Sequence, residues 1–127
     1  MARGTYALVM FLPRAQAIRI GKLGVFQFPR GNYIYVGSAM NGLRARLARH
    51  ERRQKKRFWH IDYFLDHARI VDVWTRAGAR RLECAWARAA LAPPNARVVA
   101  PRFGASDCDC KTHLIYLANY SPFTGDC

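Results

Sequence analysis

Two largely apolar runs of strand length, GTYALVMFL (4–12) and GNYIYVGSA (31–39), stand between turn-forming or polar segments. Both runs are rich in the β-branched and aromatic residues that suit a pleated surface. The first ends at Pro13-Arg14, and QAIRIG (16–21) alternates, so it is expected to return as the hairpin partner of 4–12. Residues 22–30, with Gly24 and Pro29, read as a short strand plus a loop, and the strand 31–39 is expected to end at Gly37. The period then changes. Residues from Gly42 to about Gln54 read as a helix with Asn41 as its N-cap, and FWHIDYFLDHA (58–68) places Phe58, Ile61, Phe64 and Leu65 at helical spacing. RIVDVWT (69–75) alternates as a fourth strand. ARRLECAWARAAL (79–91) is a helix halted by Pro93-Pro94, and GASDCDC (104–110) is a turn-rich segment leading into a last strand, THLIYL (112–117).

The order β-β-β-α-α-β-α-β implies an α+β fold: a small mixed, mainly antiparallel sheet flanked by three helices, in one domain over residues 1–127. No apolar run approaches the roughly 20 residues that cross a bilayer. The apolar stretch Tyr6–Leu12 precedes no small-residue cleavage site and reads as a strand rather than a signal peptide. The expectation is a soluble, cytoplasmic protein with no membrane contact, associated with the nucleoid if its source is a bacterium or archaeon.

Charge narrows the class of partner. Twenty-one Lys and Arg stand against eight acids, for a formal net charge of +13, and eight of the basic residues fall between Arg44 and Arg57. So much clustered positive charge repels itself and favours an anionic partner; arginine, which dominates here, suits bidentate contact with phosphate. Arg44, Arg49, Arg53, Lys55, Lys56 and Arg57 are therefore the candidates for contacts to a nucleic-acid backbone, DNA first and RNA as an alternative.

The strings GTY (4–6) and YVG (35–37), about thirty residues apart on two of the opening strands, resemble the paired motif that names the GIY-YIG nucleases. That family continues with a helix bearing an Arg, a Tyr or His four residues later, and a further helix with a lone Glu; this chain has Arg46, His50 and Glu83 in that order. YVGSA, HIDYFL and GASDCDCKTHLIYL are similar to the Uri-type branch of the same superfamily. The resemblance implies a phosphodiesterase site in which Tyr6 and Tyr35 handle the attacking water, Arg46 grips the scissile phosphate and His50 orients. It assigns Glu83 one divalent ion, Mg2+ or Mn2+. It also implies a Lys or Arg directly after the second motif's glycine, where this chain has Ser38; Lys22 and Arg30 are the candidates for the missing cation. Asn95 follows Glu83 at about the distance of an Asn common in the family, but within a proline-rich loop.

The residues support part of this without the family. At 100° per residue Leu43 and Leu47 define an apolar stripe; His50 falls inside it, Arg46 borders it, and Arg44 and Arg52 point outward. A free phenol with a pKa near 10 is a poor base at neutral pH, so a cation such as Arg46 or a metal would have to lower it. On 79–91 the expected buried stripe is Leu82, Ala85, Trp86 and Ala89, with Glu83 beside it, either paired with Arg80 or Arg46 or holding a metal. Arg46 read alone is equally a solvated arginine, and His50 a core histidine.

Cysteine use is a separate matter. Cys84, Cys108, Cys110 and Cys127 are expected to be reduced and unbridged. Cys108, Cys110 and His113 would make three soft ligands, with Cys84 or Cys127 as a fourth. The two-residue gap usual between paired zinc cysteines is missing, so zinc is not expected, and Asp107 and its neighbours read as a packed turn. The functional expectation is a structure- or damage-directed DNA endonuclease, with a targeting protein as a possible partner. The alternatives are a catalytically silent nucleic-acid-binding module and a basic face for an acidic protein. Oligomeric state is left open.

Overall fold

The computed structural model describes residues 2–52, 56–57, 59–105 and 110–118. Strand β1 (Gly4–Leu12) forms the middle of the molecule and is buried along nearly its whole length. It pairs antiparallel on one side with β4 (Gly31–Ala39) and on the other with β5 (Arg69–Ala77). Strand β7 (Leu114–Leu117) continues the sheet beyond β4, and the two-residue β6 (Ala96–Arg97) closes it, giving the order β5-β1-β4-β7-β6. Each of these pairings is antiparallel.

Both neighbours of β1 are thus taken, which decides the fate of the expected hairpin. Strand β2 (Gln16–Ile20) does not return along β1. It pairs with β3 (Gly24–Phe28) around a 3-10 turn, Gly21–Leu23, to make a separate two-stranded sheet. Four strands therefore open the chain, not three. Gly21 and Gly24 sit at φ 48° and 124°, so this tight turn uses backbone conformations open to glycine at little cost.

Three helices cover the sheet: α1 (Leu43–Glu51), α2 (His60–Leu65) and α3 (Glu83–Leu91). All are shorter than expected. Helix α1 is entered through Gly42 at φ 125°, not capped by an Asn41 side chain, and stops at Glu51. Helix α3 begins four residues late because the Leu82 amide is captured by the Thr5 hydroxyl of β1 at 3.1 Å. A tertiary contact, not local propensity, sets that start. The stripe expected on α3 is also rotated: Ala85 and Ala89 are exposed, while Ala87 is buried and Glu83, one turn before it, lies partly buried on the same line.

Side-chain alternation along β1 divides the core. Tyr6, Leu8, Met10 and Leu12 face a larger cluster with Tyr33, Tyr35, Phe64, Phe103 and Leu43, on the side of α1 and α2. Ala7 faces a smaller one with Val36, Ile115, Leu117 and Ala87 of α3. Among the described residues no helix is long and apolar enough to cross a membrane.

Candidate functional site

The site candidates from β1, β4 and α1 converge. Tyr6 and Tyr35 lie on paired strands with their rings 6.3 Å apart, and His50 from α1 stands over both, at 5.4 and 6.3 Å between centroids. A hydrogen bond of 2.7 Å joins Oη of Tyr6 to Nε2 of His50. One turn earlier, Nη1 of Arg46 donates to the Ser38 carbonyl at 3.1 Å, and its guanidinium lies 4.3 Å from the centre of the Trp59 ring. Arg46 is thus the cation that stands at Ser38. Arg30, one candidate for that place, stacks instead over Phe11, five residues up β1 from Tyr6 and roughly 17 Å away along the strand.

Gly37 is not the end of β4 but a requirement of this cluster. It pairs with Tyr6, and a Cβ there would come within 2.6 Å of the Tyr6 hydroxyl oxygen. No side chain fits without displacing the phenol from His50.

Tyr6 is fully buried and His50 is 2% exposed, whereas Tyr35 retains 8% and Arg46 and Trp59 are partly open. Burial pushes the Tyr6 phenol up to about 12, outweighing the downward pull of the adjacent Arg46. Burial likewise raises Tyr35 well above the ordinary phenol value. The cation expected to make one phenol a base is present, and it is not enough. Tyr6 therefore stays protonated at neutral pH, with its hydroxyl shared between the adjacent Arg46 and Nε2 of His50.

This has a consequence at high pH. A phenol at 10 in the unfolded chain and about 12 in the folded one binds more protons when folded between those values. Its stabilisation, roughly 2–3 kcal/mol, is complete below pH 10 and lost as pH rises toward 12. The melting temperature of the wild type is expected to fall over that interval more steeply than that of Tyr6→Phe, with phenolate absorbance appearing only as the protein unfolds. Equal slopes would contradict the buried, protonated phenol.

Glu83 is the first residue of α3, beside the Leu82–Thr5 contact at the end of β1. Its Oε2 is enclosed, and its charge acts on both phenols, raising them slightly. A single partly buried carboxylate suits Mg2+ or Mn2+, which take hard oxygen ligands and complete their shells with water and phosphate. The donor set fits such an ion at one ligand.

The basic stretch is less uniform than its charge. Arg44 and Lys56 are exposed. Arg49, expected on a phosphate, instead makes two hydrogen bonds of 2.9 Å to the fully buried Asp62, another to the Lys56 carbonyl, and lies 4.1 Å from the Trp59 ring centre. Arg57 is ion-paired with Asp66. Both pairings tie the end of α1 or the following loop to α2. Arg53 and Lys55 lie outside the described residues.

Asp62 is the residue that sequence reasoning missed. The signal was present: an acid three residues after a helix start reaches back to the N-cap amide, as Asp62 does to the Trp59 N–H at 2.9 Å. His60 accepts a hydrogen bond from the Gly104 amide at Nδ1, and burial lowers its pKa, so it is a packing residue held neutral. Asn95 pins the loop before β6 to Ala118 through its side chain and its carbonyl, a structural duty. A cleft of about 470 Å3 opens on the far side of His50, lined by Pro13, Arg52, His67 and Arg69 among others, away from the phenols.

One expectation about the cysteines is overturned. Cys84 of α3 and Cys110 are joined as a disulfide, with 6.0 Å between their Cα atoms. The start of α3, fixed by Thr5, brings Cys84 to a residue 26 positions later, a proximity that spacing does not reveal. Nε2 of the buried His113 lies 3.9 Å from the Cys84 sulfur. Asp107 and Cys108 lie outside the described residues.

A family model described as "Domain of unknown function DUF123" matches residues 5–126. No curated protein and no solved structure matches the chain.

Proposed function

The chain belongs to the DUF123 family, whose description names no activity, and from that premise we infer that it is a metal-assisted DNA endonuclease of the GIY-YIG type. The reading rests above all on the meeting of Tyr6, Tyr35, Arg46 and His50, drawn from two strands and a helix, around one short hydrogen bond.

The roles divide by exposure. Arg46, backed by Trp59, grips a non-bridging phosphate oxygen and stabilises the charge that grows there. Tyr35, the more open phenol, donates a hydrogen bond to the phosphate or to the attacking water. Tyr6, enclosed and protonated, does not touch substrate; it holds the His50 ring in position through the Oη–Nε2 hydrogen bond. Neither phenol is a standing base at neutral pH. Glu83 would hold one Mg2+ or Mn2+, which when bound supplies charge neutralisation and an acidified water. Arg44, Lys56 and the neighbouring basic residues seat the backbone. With no helix-turn-helix or zinc finger in the sequence, cutting directed by DNA structure or damage, or by a targeting partner in the cytoplasm, is favoured over long-sequence recognition.

A second reading is favoured by the burial of Tyr6 and His50: a silent module that binds DNA or RNA without cutting. One experiment separates the two. Nicked, branched, single-stranded and supercoiled DNA and structured RNA are incubated with the protein in Mg2+ and in Mn2+, and binding is followed against salt. Cleavage of at least one DNA form is expected. With Arg49 and Arg57 occupied by carboxylates, the log–log salt slope is expected at about −4 to −5, below the roughly −5 to −7 of six to eight phosphate contacts. Binding with no cleavage in either metal selects the module, and no binding at low salt rejects both.

A further inference from the structure

The cysteine pair and His113 belong to none of these roles, yet they form the one described cluster of soft donors in the molecule. The Cys84 and Cys110 sulfurs and a ring nitrogen of His113 all lie within 4.8 Å of one another. We propose that, in the reduced protein, these three side chains bind a zinc ion.

Three points of geometry carry this. First, the spacing is that of ligands. Zinc at about 2.3 Å from sulfur and 2.0–2.1 Å from nitrogen puts tetrahedral S···N neighbours roughly 3.5–3.6 Å apart. The Cys84 sulfur and Nε2 of His113 are at 3.9 Å, so a small rotation closes the difference. Second, each ligand is held by its backbone before any metal arrives. The start of α3 is fixed by the Leu82–Thr5 hydrogen bond. The Cys110 carbonyl accepts from Arg102, and the adjacent Lys111 carbonyl accepts from the Arg102 amide. His113 donates its amide to Phe103 and accepts from Val36 of β4. Third, two thiolates and an imidazole form a borderline-soft set suited to Zn2+ and unsuited to Mg2+. The fourth position is left to water or another donor.

The disulfide is then the oxidised, metal-free form of the same site. A dithiol reductant transfers two electrons and two protons to give two thiols, leaving as its own disulfide; zinc binding releases those two protons to solvent as both sulfurs become thiolates. A bound ion clamps the first turn of α3, and with it Glu83, to the segment that enters β7.

The test reads metal, not cleavage, so it stands apart from the nuclease reading. Full-length protein purified under reductant is expected to carry about one zinc per chain by elemental analysis. After exchange into Co2+ it should show thiolate-to-cobalt charge transfer and the intense visible bands of a tetrahedral site. Cys84→Ser or Cys110→Ser should abolish these bands. His113→Ala should weaken affinity by more than the ~10–100-fold that loss of an outer-shell partner costs. The bands must persist when Cys108 and Cys127 are both serine; their loss there overturns the assignment. So does reduced wild-type protein, with reactive thiols, that takes up no more Co2+ than the Cys84→Ser/Cys110→Ser chain. Should a serine variant fail to fold, the wild-type Co2+ spectrum decides alone: tetrahedral thiolate bands support the site, and the faint spectrum of octahedral cobalt contradicts it.

Discussion

Arg46→Ala is expected to lower the cleavage rate by about 10²–10³, the loss seen when one preorganised donor to developing charge is removed. The effect should fall on kcat, because the proposed role puts the guanidinium where charge grows in the transition state rather than along the bound duplex. Arg46→Lys is a sharper form of the same prediction. It keeps the charge but not the planar fork that donates to the Ser38 carbonyl while lying against Trp59, so it should recover only a small part of the rate. A merely structural Arg46 would give a different pattern: lowered melting temperature in both variants, with kcat restored in whatever fraction remains folded. Single-turnover rates measured beside thermal melts distinguish the two.

Asp62→Ala should have the largest effect on stability. Asp62 is fully buried, takes both arms of the Arg49 guanidinium at 2.9 Å and accepts the Trp59 amide at the start of α2. The side chain of Arg49 is only 20% exposed, so truncating the carboxylate leaves a mostly enclosed cation without its counter-charge. Breaking such a buried pair costs about 3–5 kcal/mol, which in a domain of this size lowers the melting temperature on the order of 10–20 °C. Arg49→Met together with Asp62→Leu, replacing both partners by apolar groups, should recover much of that loss. If Asp62→Ala melts within a few degrees of the wild type, the α1–α2 clamp is not what holds Trp59 and Arg46 in place.

Much of the sheet was legible in the chain. The strands 4–12 and 31–39 follow from apolar runs rich in β-branched and aromatic residues, a local property that survives in the fold, although the second runs through Gly37 instead of ending there. Pairing was not legible: 16–20 looks like the hairpin partner of 4–12, and only the occupation of both sides of β1 by β4 and β5 excludes it. Helix ends went the same way, since Thr5 sets the start of α3 from 77 residues away.

The phenols, Arg46 and His50 were visible because motif order and helical period agreed. Their burial was not, and in the proposed mechanism it shifts Tyr6 from handling the water to holding His50. The basic run misled in another way. Charge counting cannot tell an arginine facing solvent from one facing a buried acid, and Arg49, on Asp62, is the latter kind, while Arg57 pairs with Asp66 at the surface. Cys84 and Cys110 became neighbours only through packing.

The most direct measurement is cleavage of one supercoiled or branched DNA in Mg2+ by the wild type and by Glu83→Gln, with binding of the same DNA followed in parallel. The expected result is cutting by the wild type, at least about 10²-fold slower cutting by the variant, and affinities that agree within a few-fold. Cleavage by Glu83→Gln at the wild-type rate, or a wild type that binds and never cuts in Mg2+ or Mn2+, would contradict a hydrolytic site built on Glu83.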